Sequence, residues 1–324
     1  MIKAVGLLSG GLDSILAIKL ISEQGIDVTA ITFTSPFFCY NKKDKIKKIC
    51  DELNVKLKII ELKDDYLKVI LHPKFSYGVG LNPCMDCKMH MLKLAKKYAD
   101  EIGAKFIFTG EVIGQRPMSQ HEHLLIKIEK ELNLENQIVR PLSGKRLKKT
   151  DAEKLGYVSS ENFLAIKGRM RDEQMKLAKK FGIINYPSPG GGCRLAERNY
   201  RKRFLELSKY KKKITLEDLE LLKFGRHFSF PMATIIVGRN EEENNILEKF
   251  KSHIYFIPKD VNGPTTLLCH SDSLENIKLA AEITACYSDT NNKIEIIEYY
   301  INGKKHEIEV IVKDKSEFKK YNVV

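Results

Sequence analysis

The chain has 324 residues, with 55 Lys and Arg against 42 Asp and Glu and a formal net charge of +13. That length accommodates about two domains, and no apolar run approaches the ~18 residues needed to span a membrane. Seven cysteines, with Met1-Ile2-Lys3 leading straight into an apolar run, argue against a secreted disulfide framework and for metal or redox chemistry in a cytoplasmic protein. The positive charge points to a polyanionic partner, nucleic acid first.

In chain order, Ala4 to Leu8 reads as a buried parallel strand. It runs into Ser9-Gly10-Gly11-Leu12-Asp13-Ser14, and helix formers continue from Ile15 to Gln24 until Gly25. An S-G-G-x-D-S string on a strand-to-helix turn suits a phosphate. The glycines let the backbone approach closely, and the helix N-terminus offers free N–H groups and partial positive charge. Ser9 and Ser14 add hydroxyls, and Asp13 suits a magnesium ion. No Lys follows the glycines, so this is not a G-x-x-x-x-G-K-[ST] loop. Val28 to Phe33 is a second strand. Asp44 to Leu53 is a helix with Ile46, Ile49, Cys50 and Leu53 on one face, and Leu57 to Glu61 is a third strand. A long helix from Cys87 to Ile102 and a strand from Lys105 to Thr109 follow. The alternation predicts an α/β fold, a doubly wound parallel sheet with ligands beyond the carboxyl ends of its strands.

Near residue 200 the texture changes. Arg198 to Lys213 is strongly basic, and Leu216 to Leu222 reads as a short helix. Strands follow at Arg226 to Phe230, Thr234 to Val237, Tyr255 to Ile257 and Thr265 to Cys269. A helix from Ser273 to Ala285 and two more strands complete the chain. The expected division is 1–197 and 198–324, the second a smaller α+β domain entered through a basic linker.

Cys84-Met85-Asp86-Cys87 follows Asn82-Pro83 at the start of the long helix, and Cys193 follows a Pro/Gly loop, 187–192. The C-x-x-C alone fits a redox pair whose thiols a helix N-terminus would acidify. It also fits half a zinc site, though no fourth Cys or His stands beside Cys193. The third fit is an iron–sulfur cluster with three thiolate ligands and one open iron. Asp86 is a candidate proton acceptor. Cys39, Cys50, Cys269 and Cys286 read as structural, and His121 and His123 as solvated or RNA-facing.

The Ser9–Ser14 string resembles the PP-loop of the N-type ATP pyrophosphatases, an adenine-nucleotide α-hydrolase-like family that transfers AMP to a carbonyl oxygen. The string from Asn82 to Lys88 resembles the C-x-x-C region of PP-loop enzymes that thiolate tRNA uridines. Thr109 to Gln120, T-G-E-V-I-G-Q-R-P-M-S-Q, is similar to a segment of the 4-thiouridine synthase (ThiI) family, as is Arg140-Pro141-Leu142. The resemblance covers about residues 1–195. It implies that Ser9, Gly10, Gly11, Asp13 and Ser14 grip the leaving pyrophosphate, and that Leu7, Leu8, Phe33, Lys88, Gly110 and Gln120 line the ATP site. Lys88 would steady charge on the phosphates. Cys84, Cys87 and Cys193 would form the sulfur centre, either as ligands of a 4Fe-4S cluster or as a persulfide with a resolving thiol.

The implied activity is that of an ATP- and Mg2+-dependent tRNA sulfurtransferase. It would make 4-thiouridine or 2-thiouridine with sulfur from sulfide or a persulfide carrier. The ThiI family carries RNA-binding domains ahead of its PP-loop domain, whereas this sequence opens on the strand. The bacterial 2-thiouridylases usually show T-G-H-Y where this chain has Thr109-Gly110-Glu111-Val112. The rival readings are a PP-loop ligase acting on a small molecule and a non-enzymatic RNA-binding protein that senses ATP.

Phe224 to Phe228, Ile235 to Asn244 and Asp260 to Thr265 together resemble the NFACT-R RNA-binding domain over roughly 220–285. That implies RNA contacts by Arg226, His227, Arg239 and Asn240, and the basic run before them is expected to add tRNA affinity.

Overall fold

The computed structural model describes residues 1–38, 43–78, 81–117, 119–187, 192–231 and 233–324. Cys39, Met118 and loop residues 188–191 lie outside the described residues. The chain forms two compact units, Met1–Arg194 and Leu195–Val324.

The first unit alternates strand and helix: β1 (Lys3–Leu7), α1 (Leu12–Ser22), β2 (Asp27–Thr34), α2 (Lys43–Glu52), β3 (Lys56–Glu61), α3 (Asp64–Leu71), α4 (Cys84–Glu101), β4 (Phe106–Phe108), α5 (Glu122–Leu132), β5 (Ile138–Val139), α6 (Asp151–Lys154) and α7 (Asp172–Lys180). The strands form one parallel sheet in the order β3-β2-β1-β4-β5. Val5, Ile31 and Ile107 face Leu92, Ala95 and Ile128 of α4 and α5. Ala4, Phe106 and Phe108 face Ile15, Ile18 and Ile46 of α1 and α2. Alternate residues of the central strands thus feed two cores, and both faces are covered, as a parallel sheet requires. The chain runs outward from β1 through β2 and β3, then returns to β4 on the other side. The switch point of the sheet therefore lies at the carboxyl ends of β1 and β4, where the Ser9–Ser14 turn begins. At Gly6 a Cβ would fall 2.4 Å from the Phe108 ring, so only glycine lets β1 and β4 pair with that ring between them.

The second unit contains α8 (Arg198–Tyr210), α9 (Leu216–Leu221), β6 (Arg226–Phe230), β7 (Ala233–Val237), α10 (Glu241–Leu247), β8 (Ile254–Pro258), β9 (Thr266–Cys269), α11 (Leu274–Cys286), β10 (Ile294–Ile301), β11 (Lys304–Ile311) and α12 (Lys315–Phe318). Its antiparallel sheet has the order β11-β10-β8-β9-β7-β6. Phe228, Ile235, Phe256 and Ile297 pack against Ile277, Ala281 and Ile283 of α11. Ile236, Leu267 and Cys269, on the opposite face, meet Leu221 and Leu247 of α9 and α10. Among the described residues no helix is long and apolar enough to cross a membrane.

Candidate active site

The turn after β1 is held by its own hydroxyls. Ser9 N–H donates to Ser14 Oγ at 3.2 Å, Ser14 Oγ–H donates to the Gly11 carbonyl at 2.7 Å, and Gly11 N–H donates to Ser9 Oγ at 3.3 Å. Gly10 has φ +79°, a conformation glycine adopts without strain, and Gly11 caps α1 without a side chain. Leu7 ends β1, the Leu8 N–H donates to the Ile31 carbonyl at 2.7 Å, and Phe33 lies near the end of neighbouring β2. Gly110, after β4, packs hard on this turn. A Cβ there would stand 2.5 Å from the Asp13 carbonyl and 2.6 Å from Ser14 N.

Asp13 has partners that the motif did not announce. Its Oδ2 accepts from Gln115 Nε2 at 3.0 Å and from Arg171 NH2 at 3.2 Å, while Oδ1 is buried with no partner among the described residues. Arg171 is 158 residues from Asp13 in sequence. It is brought there by a parallel bridge between Ile113 and Lys167 and by the Gly168 N–H, which donates to the Ile113 carbonyl at 2.7 Å.

Next to Gly110 stands a buried ion network. Glu111 pairs with Lys88 and, at 2.9 Å, with Arg140 Nε; it also accepts from Thr109 Oγ1 at 3.0 Å. Arg140 pairs further with Glu129. Burial pushes the Glu111 carboxyl up, but Lys88 and Arg140 outweigh it and hold the group at about 2. Lys88 also donates to the Ser119 carbonyl at 2.8 Å, so two of its three N–H donors have protein partners. Gln120 is buried, with an Oε1 that has no partner among the described residues.

Glu111→Gln is expected to destabilise the protein by about 3 kcal/mol at pH 7, because it leaves Lys88 without its counter-ion and Arg140 with Glu129 alone. A depressed carboxylate contributes its full stabilisation above the ordinary carboxylate range and loses it as pH falls toward about 2. The gap between wild type and variant should therefore close between pH 5 and pH 2. Urea melts across that range check this; a gap that stays constant sinks it.

The C-x-x-C lies in the first turn of α4, where Cys87 N–H donates to the Pro83 carbonyl at 2.8 Å. Cys193 is brought alongside by a bridge to Phe38, close enough that a charge on its sulfur would raise both Cys87 and Tyr66. The three cysteines therefore share one neighbourhood, with the buried Tyr66 hydroxyl 2.9 Å from Cys87 Sγ. Tyr66 was not singled out in the sequence; its place depends on α3, which the pattern did not reveal.

The expected acidified pair is not found. Burial pushes the Cys84 thiol up against the opposing pull of Lys88 and Arg116, and it pushes Cys87 up to about 12. Asp86, read from the sequence as a candidate proton acceptor, is buried, and its two oxygens take the Lys74 and Phe75 N–H groups at 2.8 and 3.1 Å and pin the preceding loop. Three thiols with no carboxylate suit iron in their donor chemistry. Among the described residues, however, no group of three His, Cys, Asp or Glu is arranged to hold a metal. Cys50, Cys269 and Cys286 are buried in hydrophobic cores, and His121 and His123 are exposed.

In the second unit the expected RNA contacts need correction. His227 is 2% exposed, its Nε2 is 2.9 Å from the Phe224 carbonyl, and burial beside Arg203 lowers it to about 3. It is a neutral core histidine. Asn240 is the N-cap of α10, its Oδ1 accepting from Glu243 N at 2.9 Å. Arg239 pairs with Glu243, and Arg226 lies over the Tyr287 ring at 5.0 Å. In the basic run, Arg203 is buried and donates to the Leu222 and Gly225 carbonyls at 2.8 and 2.9 Å. Lys211 pairs with Asp218, while Arg198, Lys202, Lys212 and Lys213 remain exposed.

A parallel sheet with a serine–glycine turn at its switch point, and a glycine strand end packed on that turn, makes a backbone cradle suited to phosphate at the start of α1. Residues 2–156 match the family model described as Thiamine biosynthesis protein (ThiI), and residues 225–322 match that of the NFACT protein RNA binding domain. The first unit thus carries the ThiI match and the second the NFACT match. A protein of Thermoanaerobacter sp. (strain X514), named probable tRNA sulfurtransferase, is 31% identical over 150 residues, 44% of this chain and 37% of that relative. The match spans little more than a third of the relative's length. A solved 4-thiouridine synthetase–RNA complex with bound ATP is 26% identical, covering 56% of this chain and 51% of its own, with a TM-score of 0.37. The U34-tRNA thiolase NcsA of Methanococcus maripaludis, solved with its 4Fe-4S cluster, is 18% identical, covering 68% and 72%, with a TM-score of 0.34.

Proposed function

We propose that the protein is an ATP-dependent tRNA sulfurtransferase that adenylates a uridine carbonyl oxygen and replaces it with sulfur. The observation that carries this reading is the Lys88–Glu111 ion pair. It ties the helix that begins with C-x-x-C to the loop packed on the Asp13 turn, so phosphate chemistry and sulfur chemistry belong to one site. The name of the Thermoanaerobacter relative supports the same reading, and the RNA-binding match of the second unit supplies a partner for it.

ATP would lay its pyrophosphate on the Ser9–Ser14 turn, facing backbone N–H groups and the start of α1. Asp13 Oδ1, buried without a partner among the described residues, suits a magnesium ion. The uracil carbonyl oxygen attacks the α-phosphorus, and pyrophosphate leaves with the electron pair of the broken P–O bond. A sulfur nucleophile then attacks the adenylated carbon, and AMP leaves with the C–O pair. Cys84, Cys87 and Cys193 would hold a 4Fe-4S cluster, which when bound supplies an open iron able to carry sulfide. A second reading takes sulfane sulfur from a persulfide carrier onto Cys193 or Cys87. That sulfur bonds to the adenylated carbon as AMP leaves. The other thiol breaks the S–S bond to release the thiolated base and closes a disulfide, and an external dithiol reductant reopens it. The lack of a three-ligand metal group among the described residues favours this reading.

The test is anaerobic incubation with ATP, sulfide and unmodified tRNA, followed by mass spectrometry of the nucleosides. Thiouridine formed together with AMP is the expected result. AMP formation that needs a small amine acceptor and leaves the tRNA unchanged would transfer the protein to the small-molecule ligases.

A further inference from the structure

Two buried groups of opposite character stand unmatched at the same spot. Asp13 Oδ1 lacks a donor or cation, and Arg171 Nε lacks an acceptor, among the described residues. The rest of each side chain is engaged with the other, through Arg171 NH2 and Asp13 Oδ2 at 3.2 Å, and Gln115 fixes the same Oδ2 at 3.0 Å. A buried polar atom left without a partner is costly, so such atoms point to a group that completes them. The completing group must accept from the guanidinium and bring a donor or a cation to the carboxylate. A lone anion cannot do both; a water can with neutral dipoles, and a magnesium–phosphate does so with full charges on both sides.

The position agrees with that chemistry. Asp13 belongs to the turn at the switch point, and Arg171 reaches it from the segment bridged at Lys167 to Ile113. The planar guanidinium has donors directed along several edges, so it can keep one on Asp13 while offering another to a phosphate. Arg171 also lies apart from the Lys88–Glu111 network, whose two cations are balanced by Glu111 and Glu129 although Arg140 NH2 has no partner among the described residues.

We infer that Arg171 is a pyrophosphate-binding residue: it holds Asp13 through NH2 and presents Nε to an oxygen of the leaving pyrophosphate. This rests on the ATP-pyrophosphatase reading of the turn. It supplies the site with the cation that the loop's own sequence lacks, and Arg171 gathers the charge that develops as the α–β bond breaks.

Arg171→Ala, Arg171→Gln and Arg171→Lys, each checked for folding by circular dichroism, test it by calorimetry with three probes: Mg-ATP, inorganic pyrophosphate in EDTA, and AMP. In EDTA no metal links Asp13 to the ligand, so a loss there reports the guanidinium itself. Removal of one charge-assisted contact should weaken pyrophosphate and ATP about tenfold and leave AMP unchanged. The lysine variant should fall between, because it keeps the charge and loses the planar fork. Wild-type affinity for pyrophosphate in the glutamine variant overturns the inference. So does an equal loss for AMP, which would mean that Arg171 only shapes the site. Wild-type protein that binds neither ATP nor pyrophosphate would instead remove the ATP-pyrophosphatase reading beneath it.

Discussion

Asp13→Ala is expected to reduce AMP and pyrophosphate formation by roughly a hundredfold or more, the scale of losing a group that stabilises developing charge, while the protein still folds. Asp13 sits on α1 but outside the core: its carboxylate meets Gln115 and Arg171, and its side chain keeps 19% exposure. Truncation therefore opens no apolar cavity, and the strands beneath are held by Val5, Ile31 and Ile107. What is lost is the carboxylate proposed to hold magnesium and the anchor for Arg171. Ser14→Ala should act more through shape, since its hydroxyl both accepts from Ser9 N–H and donates to the Gly11 carbonyl. Pyrophosphate release measured beside a thermal melt checks both, and an Asp13 variant that adenylates RNA at the wild-type rate would remove the turn from the chemistry.

The second large effect is at sulfur. Cys84→Ala, Cys87→Ala and Cys193→Ala should each abolish thiolation and leave ATP binding in place. The Ser9 turn is built from its own hydrogen bonds and takes nothing from these side chains. Changes at Cys39, Cys50, Cys269 and Cys286 should leave iron content unaltered. Iron and acid-labile sulfide in anaerobically reconstituted variants separate the two sulfur routes. Loss of iron from all three site variants supports the cluster, and full iron in the Cys193 variant excludes a three-ligand site. Wild-type thiolation without any iron leaves the persulfide.

The parts of this site legible in the sequence are those in which chemistry and local structure share one short string. The Ser9–Ser14 turn and the C-x-x-C at a helix start could be placed because glycine, hydroxyl and thiol are informative where a strand or helix ends. The partners of those strings were not legible. Arg171 meets Asp13 only because a glycine-led segment bridges to the loop after β4, a long-range event without a local signature. Tyr66 sits on the eight-residue helix α3, whose marks are Asp64 and Asp65 in the first turn and the buried Tyr66, Leu67 and Ile70, too short a run to stand out as an element. His227 misled for the opposite reason. Its string is distinctive, but strand alternation turns it away from α11, and the face it reaches is closed by Leu221, Leu222 and Arg203. A basic run likewise reads as uniform in sequence, although the helix period sends Arg203 inward to cap two carbonyls and leaves Lys202 outside.

The setting of the Cys87 sulfur, partly buried and 2.9 Å from the Tyr66 hydroxyl, reaches into how this protein can be probed. Alkylating reagents attack the thiolate, and a thiol held at about 12 has only about one molecule in ten thousand in that form at pH 8. Iodoacetamide should therefore spare Cys87 in protein stripped of every ligand. Protection from labelling, commonly taken as the mark of a metal-bound or oxidised cysteine, would here report nothing but the surroundings of the sulfur.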